Sequence, residues 1–568
     1  MRIYEIAAPF HGTRSGIRPM TWGQIKFSRL LEEKHPTELG LFNLKREIPV
    51  PQDTRIETIV EAITLAVERF ESLRTRFNPV SDRFQILSSK GTVPITVIKL
   101  EDDEHEPLNE YINHWQLNHF TDEFSVRVAI TIEKNSARRL FLVYNHVTID
   151  GASAALVDAT VRDSIRGIST RADSAYQSMQ PFEIQEYEHS QPGRARSARA
   201  AEHWAHVLRH IPATAFSPRA SGPARPAASI DAPQRIIRAS YDSTSLSQSQ
   251  TKIAQRLGVS PPSIMAAAFF SLISVLTSNH YVNLQVLCSN RPRGELQESV
   301  ANLAQAAIAL IDCSGVTFDA LTKRVSSAAL RAYRHGRYDP DMEDDLMREI
   351  RGERGMHVTR DSCMFNYINI TGDFPVPEFE SLGKVEWLSS RSRWTAPPLR
   401  FDVRSTSSTV RLAIEADDAY LTRGDVESLL RGVESICAGA THHDIEISDI
   451  IEICGLSPIV RSREWIYRDR TYVDLHSTRN LLEGIPGVES TSLAVEESDG
   501  RDPKITCRVH AEDEQITAAD VHASVVDRLH SFPNGSAPTW YDVYLAGGSG
   551  ERLLDSGSGR GDARSDSL

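Results

Sequence analysis

Leu140-Phe141-Leu142-Val143-Tyr144 is an unbroken apolar run only five residues long, and it leads directly into Asn145-His146-Val147-Thr148-Ile149-Asp150-Gly151. An apolar run this short reads as a strand that is covered on both faces. The residues that follow, Ala152-Ser153-Ala154-Ala155-Leu156-Val157, favour a helix beginning just after the Asp-Gly pair. His146 therefore falls in a strand-to-helix connection, where a side chain can project from a rigid edge toward a ligand. Gly151 is expected to permit a tight backbone at that corner. Upstream, Phe124, Val126, Val128, Ile130 and Ile132 alternate with Ser125, Arg127 and Thr131, as in a half-buried strand. Lys134-Asn135-Ser136 predicts the turn that makes the motif strand the second arm of a hairpin.

Length bounds the rest. At 568 residues the chain predicts about two to four units, at roughly 150 residues per domain. No apolar run approaches the roughly 20 residues of a membrane span, and Met1-Arg2-Ile3-Tyr4-Glu5 lacks a secretory apolar core, so a cytoplasmic protein off the membrane is expected. A net charge of -13 argues against a general nucleic-acid binder, which needs a basic face. Cys288, Cys313, Cys363, Cys437, Cys454 and Cys507 include no close pair, so they suggest neither a zinc site nor a disulfide framework. His203 and His206 stand three apart on a predicted helix, but no further ligand at metal spacing joins them, and no metal is expected.

Thr54 to Phe77 carries Ile56, Ile59, Val60, Ile63, Leu65, Ala66, Phe70 and Leu73 at helical spacing, which predicts one long surface helix. Ser217 to Gln234 is rich in Pro, Ala and Ser and reads as a linker. Beyond it the pattern predicts helices over 245–257 and 263–276, then a strand through Val282 to Cys288 that ends at Ser289-Asn290-Arg291-Pro292.

The stretch Tyr144 to Gly151 resembles the His-His-x-x-x-Asp-Gly signature of the condensation-domain and chloramphenicol acetyltransferase superfamily, with Asn145 in place of the first histidine. Other stretches resemble the same family in the family's order. They are Pro19 to Gln24, then Leu73-Arg74-Thr75-Arg76-Phe77 after Phe70 where the family has His, then Pro181 to Tyr187 and Ala200 to Leu208. Arg291 follows at the end of its strand. Val300 to Gln305 stands against Val-Gly-x-Phe-x-Asn, with Ala301 for the Gly and Gln305 for the Asn. Ala332 to Pro340 and Cys363-Met364-Phe365-Asn366-Tyr367 complete a set spanning about residues 17 to 440.

The tail from about Glu446, with Tyr472-Val473-Asp474-Leu475 and Ile485-Pro486-Gly487-Val488, resembles the small C-terminal subdomain of adenylate-forming enzymes. Its ending Ser558-Gly559-Arg560-Gly561-Asp562-Ala563-Arg564 is similar to their Gly-Lys-x-Asp-Arg motif, with Arg560 at the lysine, which arginine does not replace freely. No phosphate loop accompanies it, so the tail reads as a degenerate remnant or as a docking surface for a carrier protein or partner enzyme. Asp555 to Gly559 is expected to be mobile.

These resemblances imply an α/β (α+β) fold: two chloramphenicol acetyltransferase-like lobes forming a V with a central tunnel, plus a small α/β C-terminal domain. The expected segments are 1–216, the N-terminal lobe with His146; 217–234, the linker; 235–445, the C-terminal lobe; and 446–568, the adenylation-type small subdomain. His146 is the implied catalytic residue. Asn145, Asp150, Gly151 and Arg291 are structural or positioning residues, with Asp150 capping the helix or pairing with Arg291 across the lobes, and Thr148, Ser153 and Gln305 are candidates to line the tunnel. No bound cofactor is implied: phosphopantetheine arrives on an acyl or peptidyl carrier protein as the substrate arm.

The implied function is that of a free-standing condensation enzyme, an acyltransferase. It would pass a carrier-bound acyl or aminoacyl group to an amine or alcohol acceptor in nonribosomal peptide or related secondary-metabolite and antibiotic biosynthesis, with an adenylation enzyme as a possible partner. The alternatives are a non-catalytic module that recruits carrier proteins or tailoring enzymes, and an acyl-CoA-dependent O-acyltransferase.

Overall fold

The structure is a computed structural model that describes residues 1–77, 83–100, 105–133, 136–168, 178–217, 233–292, 294–359, 363–370, 382–393, 397–498, 501–546 and 552–560. The chain forms two compact units. Met1–Ala200, Leu287–Ala306 and His335–Pro340 make the first; Ala201–Val286, Ala307–Arg334 and Asp341–Leu568 make the second. This division differs from the expected segments. Two stretches of the later sequence join the first unit because, as described below, Arg291, Leu303 and Arg337 bond to its side chains and Asn302 to its backbone. Most of the expected linker, 218–232, and the hairpin turn at 134–135 lie outside the described residues.

The first unit is built on a five-stranded sheet in the order Arg2–His11, Lys90–Lys99, Val126–Glu133, Ser136–Tyr144, Leu44–Pro49. The motif strand Ser136–Tyr144 pairs antiparallel with both neighbours, Tyr144 lying opposite Val126 on one side and Leu44 on the other. On one face the helices Ile56–Arg69 and Gly151–Ile165 supply Ile59, Ile63, Val157 and Val161 against Val128, Leu142 and Tyr144. On the other face, Leu108 and Ile112 of the His105–Leu117 helix pack on Ile98 and Phe141. Cover on both faces is the reason the strand carries apolar residues without alternation.

The long helix expected over 54–77 stops at Arg69. Phe70 turns to an extended conformation (φ -109°, ψ 105°) and Glu71–Arg74 forms a tighter turn before the short strand Thr75–Arg76. Arg74 fixes that turn. Its guanidinium is buried, Nη1 donating to the carbonyls of Arg14 (2.9 Å) and Ser88 (2.7 Å) and Nη2 to Glu71 (3.3 Å). This arginine is structural, and leaving its donors unpaired would be costly.

The second unit holds a seven-stranded sheet in the order Gln305–Asp312, Tyr281–Cys288, Cys363–Asn369, Leu399–Ser405, Val410–Asp417, Gln234–Ser243, Val385–Arg393. The helix Pro261–Thr277 is buried over nearly its whole length. Among the described residues no single helix is long and apolar enough to cross a membrane. His203 Nε2 donates to the Ile308 carbonyl at 3.1 Å, and the His206 ring lies 4.7 Å from that of His210. All six cysteines are free thiols.

The tail belongs to the second unit. A hairpin, Trp465–Arg468 with Thr471–Asp474, precedes a four-stranded sheet, Val488–Ser498, Arg501–Ala511, Trp540–Leu545 and Arg552–Gly557, backed by the helices Leu475–Leu482 and Ala518–Arg528. The expected mobility of 555–559 gives way to order. Arg552–Gly557 pairs antiparallel with Trp540–Leu545, Asp555 accepts from the Ala518 N–H (2.8 Å), and Ser556 Oγ donates to Asp542 (2.6 Å). The tail is bonded firmly to the rest of its unit. Arg354 donates to the carbonyls of Leu208 and Ile211 (both 2.8 Å) and to the Asp469 carboxylate (2.7 Å), and the Ile459 N–H donates to the Leu276 carbonyl (2.8 Å).

Candidate active site

After Tyr144 the chain leaves the sheet in a turn that Asn145 closes. Its Oδ1 accepts the Val147 N–H at 3.0 Å, and its carbonyl accepts the N–H groups of Thr148 and Ile149. An amide oxygen directed at the backbone two residues on is what favours Asn in turns. The first signature position thus shapes the loop here.

His146 is half-buried, its ring stacked on Phe27 with centroids 4.1 Å apart and planes inclined by 29°. Nδ1 lies 2.9 Å from the Ile149 carbonyl oxygen. A carbonyl only accepts, so Nδ1 carries the proton and Nε2 keeps its lone pair. Burial lowers the pKa of the ring from 6.5, and the Arg46 charge acts the same way, while Asp150 opposes them. At neutral pH the imidazole is therefore an uncharged base held in one tautomer.

The loop is held from outside by Asn302. Its Nδ2 donates to the His146 carbonyl (2.7 Å) and its N–H to the Thr148 carbonyl (2.7 Å). Asn302 in turn sits against Gly23, where a Cβ would fall 2.1 Å from the Asn302 carbonyl oxygen. Gly23 lies in the first helix, Trp22–Glu32, whose Thr21 and Gln24 form a capping box. The Trp22 N–H donates to Glu188, which also takes Arg337 at 3.1 Å in a buried pair.

Asp150 caps the motif helix through Oδ1, which accepts the Ser153 N–H at 2.9 Å. Its Oδ2 accepts from Arg291 Nη1 (2.7 Å) and from the N–H groups of Leu303 (3.0 Å) and Ala304 (3.2 Å). The expected pairing across the lobes is corrected in one respect. Arg291 lies in the stretch that belongs to the first unit, so the pair forms within that unit. Gly151 is also corrected: its φ is not positive and a Cβ there would meet nothing within 4 Å, so the backbone makes no demand for glycine.

The three tunnel candidates are frame residues instead. Thr148 donates to Ser125 Oγ (2.6 Å), Ser153 Oγ donates to the Ala301 carbonyl (2.7 Å), and Gln305 exchanges bonds with the Tyr338 backbone; all three side chains are buried. Polar residues flanking a motif suggest a wall in sequence, but here Ser153 and Gln305 satisfy backbone groups that packing would otherwise strand, and Thr148 bonds the buried Ser125 hydroxyl. Behind the loop, the Tyr144 hydroxyl donates to Asp158 (2.8 Å), whose other oxygen meets Arg46 Nε (3.0 Å). Burial pushes the Asp158 carboxyl up to about 6. Phe27, Asn302, Gly23 and Arg46 were not legible as site residues. Their contacts are long-range, and only the placement of Gly23 inside the 19–24 stretch and of Asn302 inside the 300–305 stretch hinted at a role.

A histidine base on a strand-to-helix loop, closed by an Asp-Arg pair in this chain order, is matched by one family profile, the condensation domain, over residues 34–369. The chain belongs to the condensation-domain family. A curated relative, a polyketide synthase-nonribosomal peptide synthetase of Aspergillus clavatus, is 23% identical over 190 residues, which is 32% of this chain and 4% of that far longer protein. Among solved structures, the condensation domain of the monacolin K polyketide synthase MokA aligns with a TM-score of 0.59 at 14% identity, covering 75% of this chain and 98% of that one. A structure described for condensation domain-mediated chain release from the enacyloxin polyketide synthase aligns at 0.58 and 15%, covering 80% and 86%. At such identities the likeness is one of fold, the mixed α/β chloramphenicol acetyltransferase-like fold of this family. Condensation domains work on substrates tethered to carrier proteins in such synthases.

Proposed function

We propose that the protein is an acyltransferase that joins a carrier-bound acyl or aminoacyl group to an amine, with a hydroxyl as the less favoured acceptor. The observation that carries this reading is the single tautomer of His146, with Nδ1–H given to Ile149 and Nε2 left as a neutral base. In the proposed reaction the amine attacks the thioester carbon, a C–N bond forms and the C–S bond breaks. The amine proton passes to Nε2 and then to the departing thiolate, regenerating the base. A thioester is activated enough for this step to run without ATP. Holding both reactants together can supply about 7 to 11 kcal/mol of the barrier reduction, and the imidazole handles the proton. The phosphopantetheine arm is part of the donor substrate in this reading, and the protein itself holds no cofactor.

The test is product formation from an acyl-carrier thioester and a panel of amines and alcohols, followed by mass spectrometry in wild type and His146→Ala. Loss of product in a folded variant supports the proposal. Wild-type turnover by His146→Ala would remove it and favour a recruiting role for the same fold.

A further inference from the structure

The tail carries a charge arrangement that acyl transfer does not use. Arg468 ends the first arm of the tail hairpin and is 8% exposed. Its Nη1 donates to Ser536 Oγ at 2.8 Å, and among the described residues no carboxylate oxygen comes within 4.0 Å of its guanidinium. The acids closest in charge are already engaged: Asp469 binds Arg354 Nε (2.7 Å), and Asp502 accepts the Asp469 N–H (3.1 Å).

A second guanidinium approaches the same seam. Arg560 Nη2 lies 3.3 Å from where a Cβ on Gly355 would stand, and the Gly355 carbonyl accepts the N–H of Ala537, the residue after Ser536. Arg560 likewise has no carboxylate within 4.0 Å among the described residues. Burial and the Arg560 charge together lower the pKa of Arg468, and they push that of His522 down to about 4. The histidine bonded to Tyr541 is thus neutral and adds no third positive charge.

Two like charges on one seam, one of them nearly buried and neither in an ion pair among the described residues, are unfavourable; Asp469 and Asp502 offset this only in part, and an anion shared between the two would relieve it. Guanidinium forks match the oxygens of a phosphate, two N–H groups to two oxygens. We propose that Arg468 and Arg560 form an oxyanion site that takes a phosphate group, either free or as part of a larger ligand. The site is independent of His146, and its test is binding rather than turnover.

Full-length protein is melted at fixed ionic strength with chloride exchanged for millimolar inorganic phosphate, and in parallel with phosphopantetheine. Wild type is expected to gain about 2 °C or more in phosphate, by preferential binding to the folded state. Arg560→Gln and Arg468→Gln should lose that gain. Without phosphate, Arg560→Gln should melt no lower than wild type, because the exposed member of the repelling pair is gone. A larger response to phosphopantetheine than to phosphate assigns the site to a phosphate carried on an arm; equal responses assign it to the free ion. No phosphate response in wild type, an equal response in Arg560→Gln, or a lower melting point of that variant without phosphate would overturn the proposal.

Discussion

Asp150 Oδ2 and Arg291 Nη1 meet at 2.7 Å with side chains only 3% and 7% exposed, and the same carboxylate oxygen takes the N–H groups of Leu303 and Ala304. The pair therefore anchors two strangers in sequence, the motif helix and the 299–304 stretch. Replacing either partner by Ala should cost about 3 to 5 kcal/mol, since the remaining charge is left buried. Denaturant melts of both single variants and the double variant measure the coupling. Additive losses would show that the two side chains do not act as a pair.

The acid limb of the pH-rate profile reports His146. A base must be deprotonated to work, and burial lowers its pKa from 6.5. Activity is thus expected to be flat through neutral pH and to fall only below the usual histidine midpoint. An acid limb centred at 6.5 or higher in kcat/KM would contradict the half-buried, neutral imidazole.

Two glycines should respond in opposite ways. Gly151→Ala is expected to leave the melting temperature unchanged, since its Cβ enters open space, so any loss of rate would report a substrate close to the loop. Gly23→Ala places a methyl 2.1 Å from the Asn302 carbonyl oxygen and should displace the residue that holds the His146 carbonyl. Its expected cost is about 1 to 3 kcal/mol from overpacking, together with a fall in kcat. A Gly23→Ala protein with unchanged melting and rate would show that the helix and the loop are not in register through Asn302.

Asn302→Ala removes the donor to His146 and keeps the backbone bond to Thr148. The expected cost is about 1 to 3 kcal/mol for the buried acceptor left behind, with a reduced kcat and an unchanged KM for the acyl-carrier. A rise in KM alone would assign Asn302 to substrate binding.

Truncation after residue 445 is a harsher change than the sequence suggested. It removes Asp469 from Arg354 and the Ile459 bond from Leu276, and it strips cover from the second unit. The truncated protein should melt well below the full chain. A small thioester surrogate and the acyl-carrier should lose rate together, through the fold. Unchanged melting, with a raised KM for the carrier alone, would instead mark the tail as a docking surface.

The local part of this architecture was readable. Continuous apolar residues over 140–144, small residues after Gly151 and the alternation before Ile132 fix a hairpin and a helix, because both depend on neighbours in sequence. Asp150 could be read as a cap for the same reason. What could not be read depends on distant partners. The helix over 56–69 stops because Arg74 has three acceptors supplied by Arg14, Ser88 and Glu71. Ser153 and Gln305 look like polar lining until the backbone groups they satisfy come from residues 301 and 338. The Gly/Ser composition of 555–559 predicts disorder, yet a neighbouring strand supplies enough ladder bonds to order most of it.

Because Leu287–Ala306 and His335–Pro340 complete the first unit, that unit is unfinished while the chain is being made. When the first 200 residues have left the ribosome, Asp150 has a carboxylate waiting for an arginine 141 residues further on, and the His146 carbonyl waits for an amide 156 residues away. The loop around His146 can therefore set only after the chain has been made as far as Asn302. For the same reason, an exchange of lobes between relatives that cuts near residue 216 would separate His146 from the residues that hold it. A graft must carry 287–306 and 335–340 with the N-terminal segment.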